Sequence, residues 1–429
     1  MIRSTRAGRT LAVAGVLALA LTACSGGSDS ADEPTDGDAG GGSGEPLVIG
    51  TILPVTGSLA QLGPPEIAGV DLAVKEINDA GGLFGADVEV KHTDSSDAKN
   101  ASVATASAQE LISGGVSAII GAASSSVTLN IVDDITGAGI VQVSPANTAT
   151  DLSGYDDFYF RTAPPDTVQG DVLGNLIVSD GASNVGILVF NDSYGTSLRD
   201  VVEGVVSDAG GTVVYGTEGE EFDPDETNFA TIVSDAIAAA PDAIAILSFT
   251  DQTPPLVREL AAQGWDMSKT YFVDGNLDQF GVDGEKGFPA GTLENAQGTL
   301  PGAYPSEEFQ ARMLEIDPEL TGFSYGPESY DATMLVALAA LKGGASDGET
   351  IQANMVAVSG ADGGTECTGW EECSQLLEDG EDIAYQAVSG VGPFNDANDP
   401  SSAFIGIYKF GPDNMYTFNR SEEGEVPED

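Results

Sequence analysis

The chain has 429 residues and a formal net charge of −53, from 15 basic and 68 acidic side chains, with a single histidine. That balance argues against a nucleic-acid partner, which needs a basic face, and one histidine leaves little room for a Ser-His-Asp device. A hydrophobic content of 41% is enough for a folded core, so the acids are expected on the surface of a globular protein, where their mutual repulsion points to a saline setting.

The chain opens with Arg3, Arg6 and Arg9, an apolar run from Leu11 to Leu21, and small residues leading to Cys24. The run is about half what a membrane-crossing helix needs, so residues 1–23 read as an export signal. Leu21-Thr22-Ala23-Cys24 resembles the bacterial lipobox, which makes Cys24 the expected lipidation site; the bland alternative is an ordinary cysteine of a signal peptide. From 25 to 46 no large apolar residue occurs, and this stretch is expected to be a flexible acidic tether spanning roughly 25 Å. Anchoring by acyl chains would place the protein outside the cytoplasmic membrane.

Beyond the tether, β-rich runs alternate with helical patterns. The runs are LVIGTIL (47–53), VEVKHT (88–93), SAIIG (117–121), GIVQVS (139–144), VGILVF (185–190), DAIAILSF (242–249) and TYFVD (270–274). Such alternation predicts parallel sheets flanked by helices, an α/β fold. Between the first two runs, Ile67, Val70, Val74 and Ile77 recur at helical spacing and Gly81-Gly82 ends the helix. The length after the tether exceeds one comfortable core, so two lobes are expected. Cys367 and Cys373 are expected to pair in an exported chain, with an isolated two-cysteine zinc half-site as the rival.

Two segments stand out chemically. GAASSSVT (121–128) follows a buried strand and opens a helix, so its serines sit where free N–H groups and a positive dipole end suit a carboxylate; a plain helix cap is the alternative. The next strand ends in SPANTAT (144–150), on the same sheet edge, where ligands of open α/β sheets bind. Thr148 offers a hydroxyl there, and Ala146 a carbonyl. His92 reads as a strand-end surface residue. DPDETN (223–228) and NDANDP (395–400) supply oxygen ligands but lack the spacing of a calcium loop, and their acids are expected to face water. No phosphate-binding or nucleophile-elbow motif occurs in the required context.

LPVTGSLAQLG (53–63), INDAGGLFG (77–85), GAASSSVT, VSPANTAT, FRTAPPD (160–166), NDSYGTS (191–197), GPESYDATMLVALAAL (326–341) and AYQAVSGVGPFND (384–396) occur in order. Together with the export signal this set resembles the branched-chain amino acid receptors of bacterial ABC transporters, from about Leu47 to Phe418. The cysteine-containing insert is similar to those of actinobacterial members.

The resemblance implies a type I periplasmic-binding fold: two doubly wound α/β lobes joined by three crossovers, near residues 165, 300 and 387. Lobe 1 would comprise 47–165 and 300–386, lobe 2 166–299 and 387–420, with 421–429 an acidic tail. It also implies a binding role without catalysis or cofactor, an ABC permease as partner and a monomeric state. Site roles carry over to Ser125, Ala146 and Thr148, with Ser124 beside them, for the ligand's carboxylate and ammonium, and to Tyr194 from the other lobe. Asp274 in YFVDGN is the candidate acid, with a turn before Gly275 as the alternative. The family's glutamate position aligns with Asn276, and Leu62 stands where an aromatic is frequent. Phe249 or Thr250 is expected on the far wall. A sensory receptor, or a receptor for amides, urea or other small carboxylates, is the alternative function.

Overall fold

The computed structural model describes residues 46–284 and 286–426. The expected export signal, the lipidation site Cys24 and all but the last residue of the tether lie outside the described residues, as do the final three residues of the expected tail.

The chain first lays down β1 (Val48–Leu53), α1 (Gly63–Asp79), β2 (Glu89–Asp94), α2 (Ser102–Ser113), β3 (Ala118–Gly121), α3 (Ser125–Thr136), β4 (Val141–Ser144) and β5 (Tyr159–Arg161). These strands form one parallel sheet in the order β2-β1-β3-β4-β5. Side chains alternate across it, so Ile49, Leu53, Ala118 and Ile120 join one core while Ile52 and Ile119 join another with α2 and α3. Helix α1 ends as the glycine pair dictates. Gly81 and Gly82 adopt φ of 110° and 78°, and the Gly82 N–H returns to the Ile77 carbonyl at 2.9 Å.

The second lobe follows, with α4 (Asp166–Ser179), β6 (Asn184–Val189), α5 (Ser193–Asp208), β7 (Thr212–Tyr215), α6 (Ala230–Ala238), β8 (Ala243–Leu247), α7 (Thr253–Ala262), β9 (Thr270–Phe272) and β10 (Gln297–Pro301). The chain then returns to the first core with α8 (Glu307–Ile316), α9 (Gly326–Gly343), α10 (Gly348–Val358), β11 (Thr365–Cys367), α11 (Gly369–Glu378) and β12 (Ile383–Tyr385). It closes with β13 (Ser402–Phe410) and β14 (Tyr416–Glu425), which extend the second sheet antiparallel in the order β14-β13-β10-β9-β8-β6-β7. Two doubly wound α/β lobes are therefore present.

Two boundaries differ from expectation. The last crossing does not leave the first lobe near 387: Phe394 packs on Phe160 at 5.1 Å, and the Asp399 carboxylate takes two hydrogen bonds from the fully buried Arg161, at 2.6 and 2.7 Å. A buried guanidinium without a counter-charge would cost several kcal/mol, which keeps this segment on the first lobe until β13 begins. Residues 421–425 are not a tail but the end of β14, paired residue by residue with β13. Their alternation of exposed and half-buried residues suits an edge strand with one wet face.

Cys367 and Cys373 are joined, with Cα atoms 5.3 Å apart, and both are buried with Trp370 against α9. No helix among the described residues is long and apolar enough to cross a membrane.

Candidate functional site

The carboxyl ends of β3 and β4 bring GAASSSVT and SPANTAT together. Ser124 caps α3, its Oγ accepting from the Val127 N–H at 3.4 Å. Ser125 Oγ accepts from the backbone N–H groups of Thr148 and Ala149 at 3.4 and 3.3 Å, so one hydroxyl ties the two loops. Thr148 Oγ1 is buried and makes no hydrogen bond. Asn147, below them, is fixed by Tyr159 Oη at 2.7 Å and by its own bond to Thr128 Oγ1 at 2.8 Å. The first N–H groups of α3 have no intrahelical acceptor, and the dipole end there is positive.

From the second lobe, the turn after β9 presents Asp274. Tyr194 Oη donates to its Oδ1 at 2.6 Å, Gln169 Nε2 to the same oxygen at 2.8 Å, and Tyr325 Oη to Oδ2 at 2.6 Å. All three donors are neutral. Burial raises the Asp274 carboxyl above the usual range, against the lowering effect of those hydrogen bonds. Tyr194 stacks on Phe249 at 5.5 Å with planes 11° apart.

Between these halves lies a narrow cavity, lined by Ser124, Ser125, Ala146 and Thr148 on one side and Tyr194, Phe249, Asp274 and Tyr325 on the other, with Leu59, Leu62 and Ala123 supplying apolar wall. The lobes are shut around it. Ser126 Oγ donates to Asp192 Oδ2 at 2.7 Å, the Thr150 N–H to Ser197 Oγ at 3.0 Å, and Thr250 Oγ1 to the Ser58 carbonyl at 2.8 Å. The cavity thus has a donor-rich end at the start of α3, an acceptor end at Asp274, and apolar sides. That arrangement of groups is complementary to a small zwitterion with an apolar side chain.

Just behind Thr148 lies Asp166, the first residue of α4, its N–H bonded to the Thr148 carbonyl at 2.7 Å. Burial pushes its carboxyl up to about 7; the Ser197 and Thr148 hydroxyls pull it down without reaching hydrogen-bond geometry, and Asp274 raises it further.

Two expected site residues fall elsewhere. Asn276 lines no part of the cavity: its Oδ1 accepts from the Val273 N–H at 2.9 Å and its Nδ2 donates to the Ile246 carbonyl at 2.8 Å, so it pegs the turn that carries Asp274. Thr250 is absent from the wall and serves the lip of the cleft through Ser58. Neither acidic segment forms a cation cage. Asp223 and Glu226 oxygens accept backbone N–H bonds within their own turn, Asp225 pairs with Lys99 at 3.1 Å, and Asp399 is buried on Arg161 instead of facing water. No group of three or more His, Cys, Asp or Glu able to hold a metal occurs among the described residues. His92 is in β2, bonded to Asp71 and Thr51 at 3.0 and 2.9 Å, where it offers no base to the cavity serines.

Tyr325, Gln169 and Leu59 were not anticipated. The GPESY motif marks where α9 starts, but nothing local marks the tyrosine before it as a cavity residue.

A periplasmic binding protein family profile matches residues 46–375. The chain is 25% identical to "Leu/Ile/Val-binding protein homolog 3" of Brucella melitensis over 51% of its own length, and spans 58% of that relative. With the chemotactic signal transduction system substrate-binding protein BasB of Halobacterium salinarum it shares 24% identity over 84% of this chain and 86% of BasB. The crystal structure of LivJ, a branched-chain amino acid transporter substrate binding protein from Streptococcus pneumoniae in complex with isoleucine, superposes with a TM-score of 0.71 at 22% identity, covering 89% of this chain and all of that one, a likeness in fold. With the family matched over well more than half its length, the chain belongs to the periplasmic binding protein family.

Proposed function

We propose that the protein is an extracytoplasmic receptor, tethered through a lipidated Cys24, that captures a branched-chain amino acid between its lobes and hands it to an ABC permease. The observation that carries this reading is Asp274, a buried carboxylate with three neutral donors and no cation within its set of partners. A ligand ammonium supplies the missing charge there. Its carboxylate faces Ser125, the unpaired Thr148 hydroxyl and the α3 N-terminus, and its side chain meets Leu59, Leu62 and Phe249. The Ala146 carbonyl serves as a further acceptor for the ammonium. Capture needs no bond to be broken, and no residue of the cavity is arranged as a base beside a nucleophile.

The match to BasB favours a second reading, a receptor that reports the same ligand to a signalling system. Adjacent genes for a permease and an ATPase support import; an adjacent signalling kinase supports sensing.

Thermal unfolding with added leucine, isoleucine or valine tests the ligand class. A ligand at a hundred times its Kd adds about 2.7 kcal/mol, a shift of several degrees. Stabilisation by these amino acids and not by amides, urea or aromatic acids is the expected outcome; stabilisation by the latter alone overturns the assignment.

A further inference from the structure

A second cavity, of about 140 Å³, lies where the chain passes between the lobes after β10. Its walls come from residues 300–305, from the loop 321–325 ahead of α9, and from β13 and β14. Capture of an amino acid in the cleft makes no use of it.

The rings of Tyr408 and Tyr416 meet there at 5.2 Å with planes 79° apart. Beside them Tyr304, 50% exposed, is stacked on Phe418 at 4.7 Å, and Phe418 in turn meets Tyr408 edge-on at 5.7 Å. Ring faces carry negative partial charge, and rings set at steep angles to one another form the kind of corner that holds an onium ion.

An acid completes the site. Glu328, on the first turn of α9, lines the cavity and is only 2% exposed. Its own backbone N–H offsets only part of the cost of burying the carboxylate. Gly302, on the crossing chain, makes room for it: a Cβ there would sit 2.0 Å from Glu328 Oε1. Among the described residues, no lysine, arginine or histidine lines the cavity. Burial, with the nearby Asp331 charge adding to it, holds the Glu328 carboxyl well above the usual range, the state of an acid that lacks a counter-ion.

We propose that this hinge cavity is a second ligand site, for a small organic cation of the quaternary-ammonium class, held by the Tyr408–Tyr416 corner and Tyr304 and neutralised by Glu328. Tyr325 borders both cavities, so the two sites are neighbours.

The test is calorimetric titration of the whole protein with tetramethylammonium chloride, at ionic strength matched with sodium chloride and with tert-butanol as the uncharged control. One saturable site of millimolar affinity is expected, with no saturable uptake of tert-butanol. Glu328→Gln, close in shape to the protonated acid, should weaken it by about tenfold, and Tyr304→Ala, at a half-exposed position, by about threefold. Asp274→Asn should leave it unchanged. Absence of saturable binding overturns the proposal, as does undiminished binding in both Glu328→Gln and Tyr304→Ala. Loss in Asp274→Asn with Glu328→Gln unaffected places the cation in the cleft and also overturns it, whatever the fate of the amino-acid assignment.

Discussion

Ser125 and Thr148 illustrate how little chemistry the first lobe needs to receive a carboxylate. One hydroxyl already bridges the two loops, and the other waits unpaired beside the α3 N-terminus. The double variant Ser125→Ala with Thr148→Ala should therefore weaken amino-acid binding by more than about tenfold while the protein still folds, as titration and circular dichroism would show. Asp166 carries a different expectation, because its carboxyl is pushed up to about 7 from an ordinary 3.8. Below about pH 4 the group is protonated in both folded and unfolded chains, and it costs nothing. As pH rises from about 4 to 7 the unfolded chain releases the proton that the folded one keeps, so stability falls, and above 7 the full cost remains. Asp166→Asn should gain on the parent protein across that window, reaching a few kcal/mol at pH 8 in urea unfolding. A difference that does not change with pH would mean the buried carboxyl is not the group responsible.

At the scale of elements, the strands of both sheet centres and helix α1 were legible because apolar residues alternate or recur at helical spacing and glycines close the helix. The serine and threonine loops were legible because they follow those strands directly. Tyr325 and Gln169 were not, since they reach Asp274 from 51 and 105 residues away and no local pattern encodes contacts so distant in sequence. Asn276 misled for a related reason: two residues separate it from Asp274, and only the turn decides which side chain faces the cavity and which is folded back onto β8. Strand β14 escaped notice because its acids and exposed pattern read as a tail. The Cys367–Cys373 bridge ties β11 to α11, whose contacts are with α9, α1 and β12, away from the cleft. Replacing both cysteines with serine should lower stability by about 2 kcal/mol, the value for so short a loop, and leave ligand affinity unchanged. A changed affinity would show that the insert communicates with the cleft.

For the whole molecule, the surplus of acids divides into two populations. Most carboxylates face water, while Glu66, Asp97, Asp166, Asp274, Glu328, Asp331 and Asp399 are buried. Only one of them, Asp274, stands in the cavity that the lobes enclose. Closure brings it opposite the α3 N-terminus, so a ligand joining the two must carry a positive group at one end and a negative group at the other. Calorimetric titration of leucine and of its deaminated keto acid into the parent protein and Asp274→Asn tests that claim most directly. Leucine should bind the parent at one site at least about tenfold more tightly than the keto acid, and Asp274→Asn should erase that preference while keeping the keto acid's affinity. Equal binding of the two compounds by the parent, or an equal loss of both in the variant, would contradict the account.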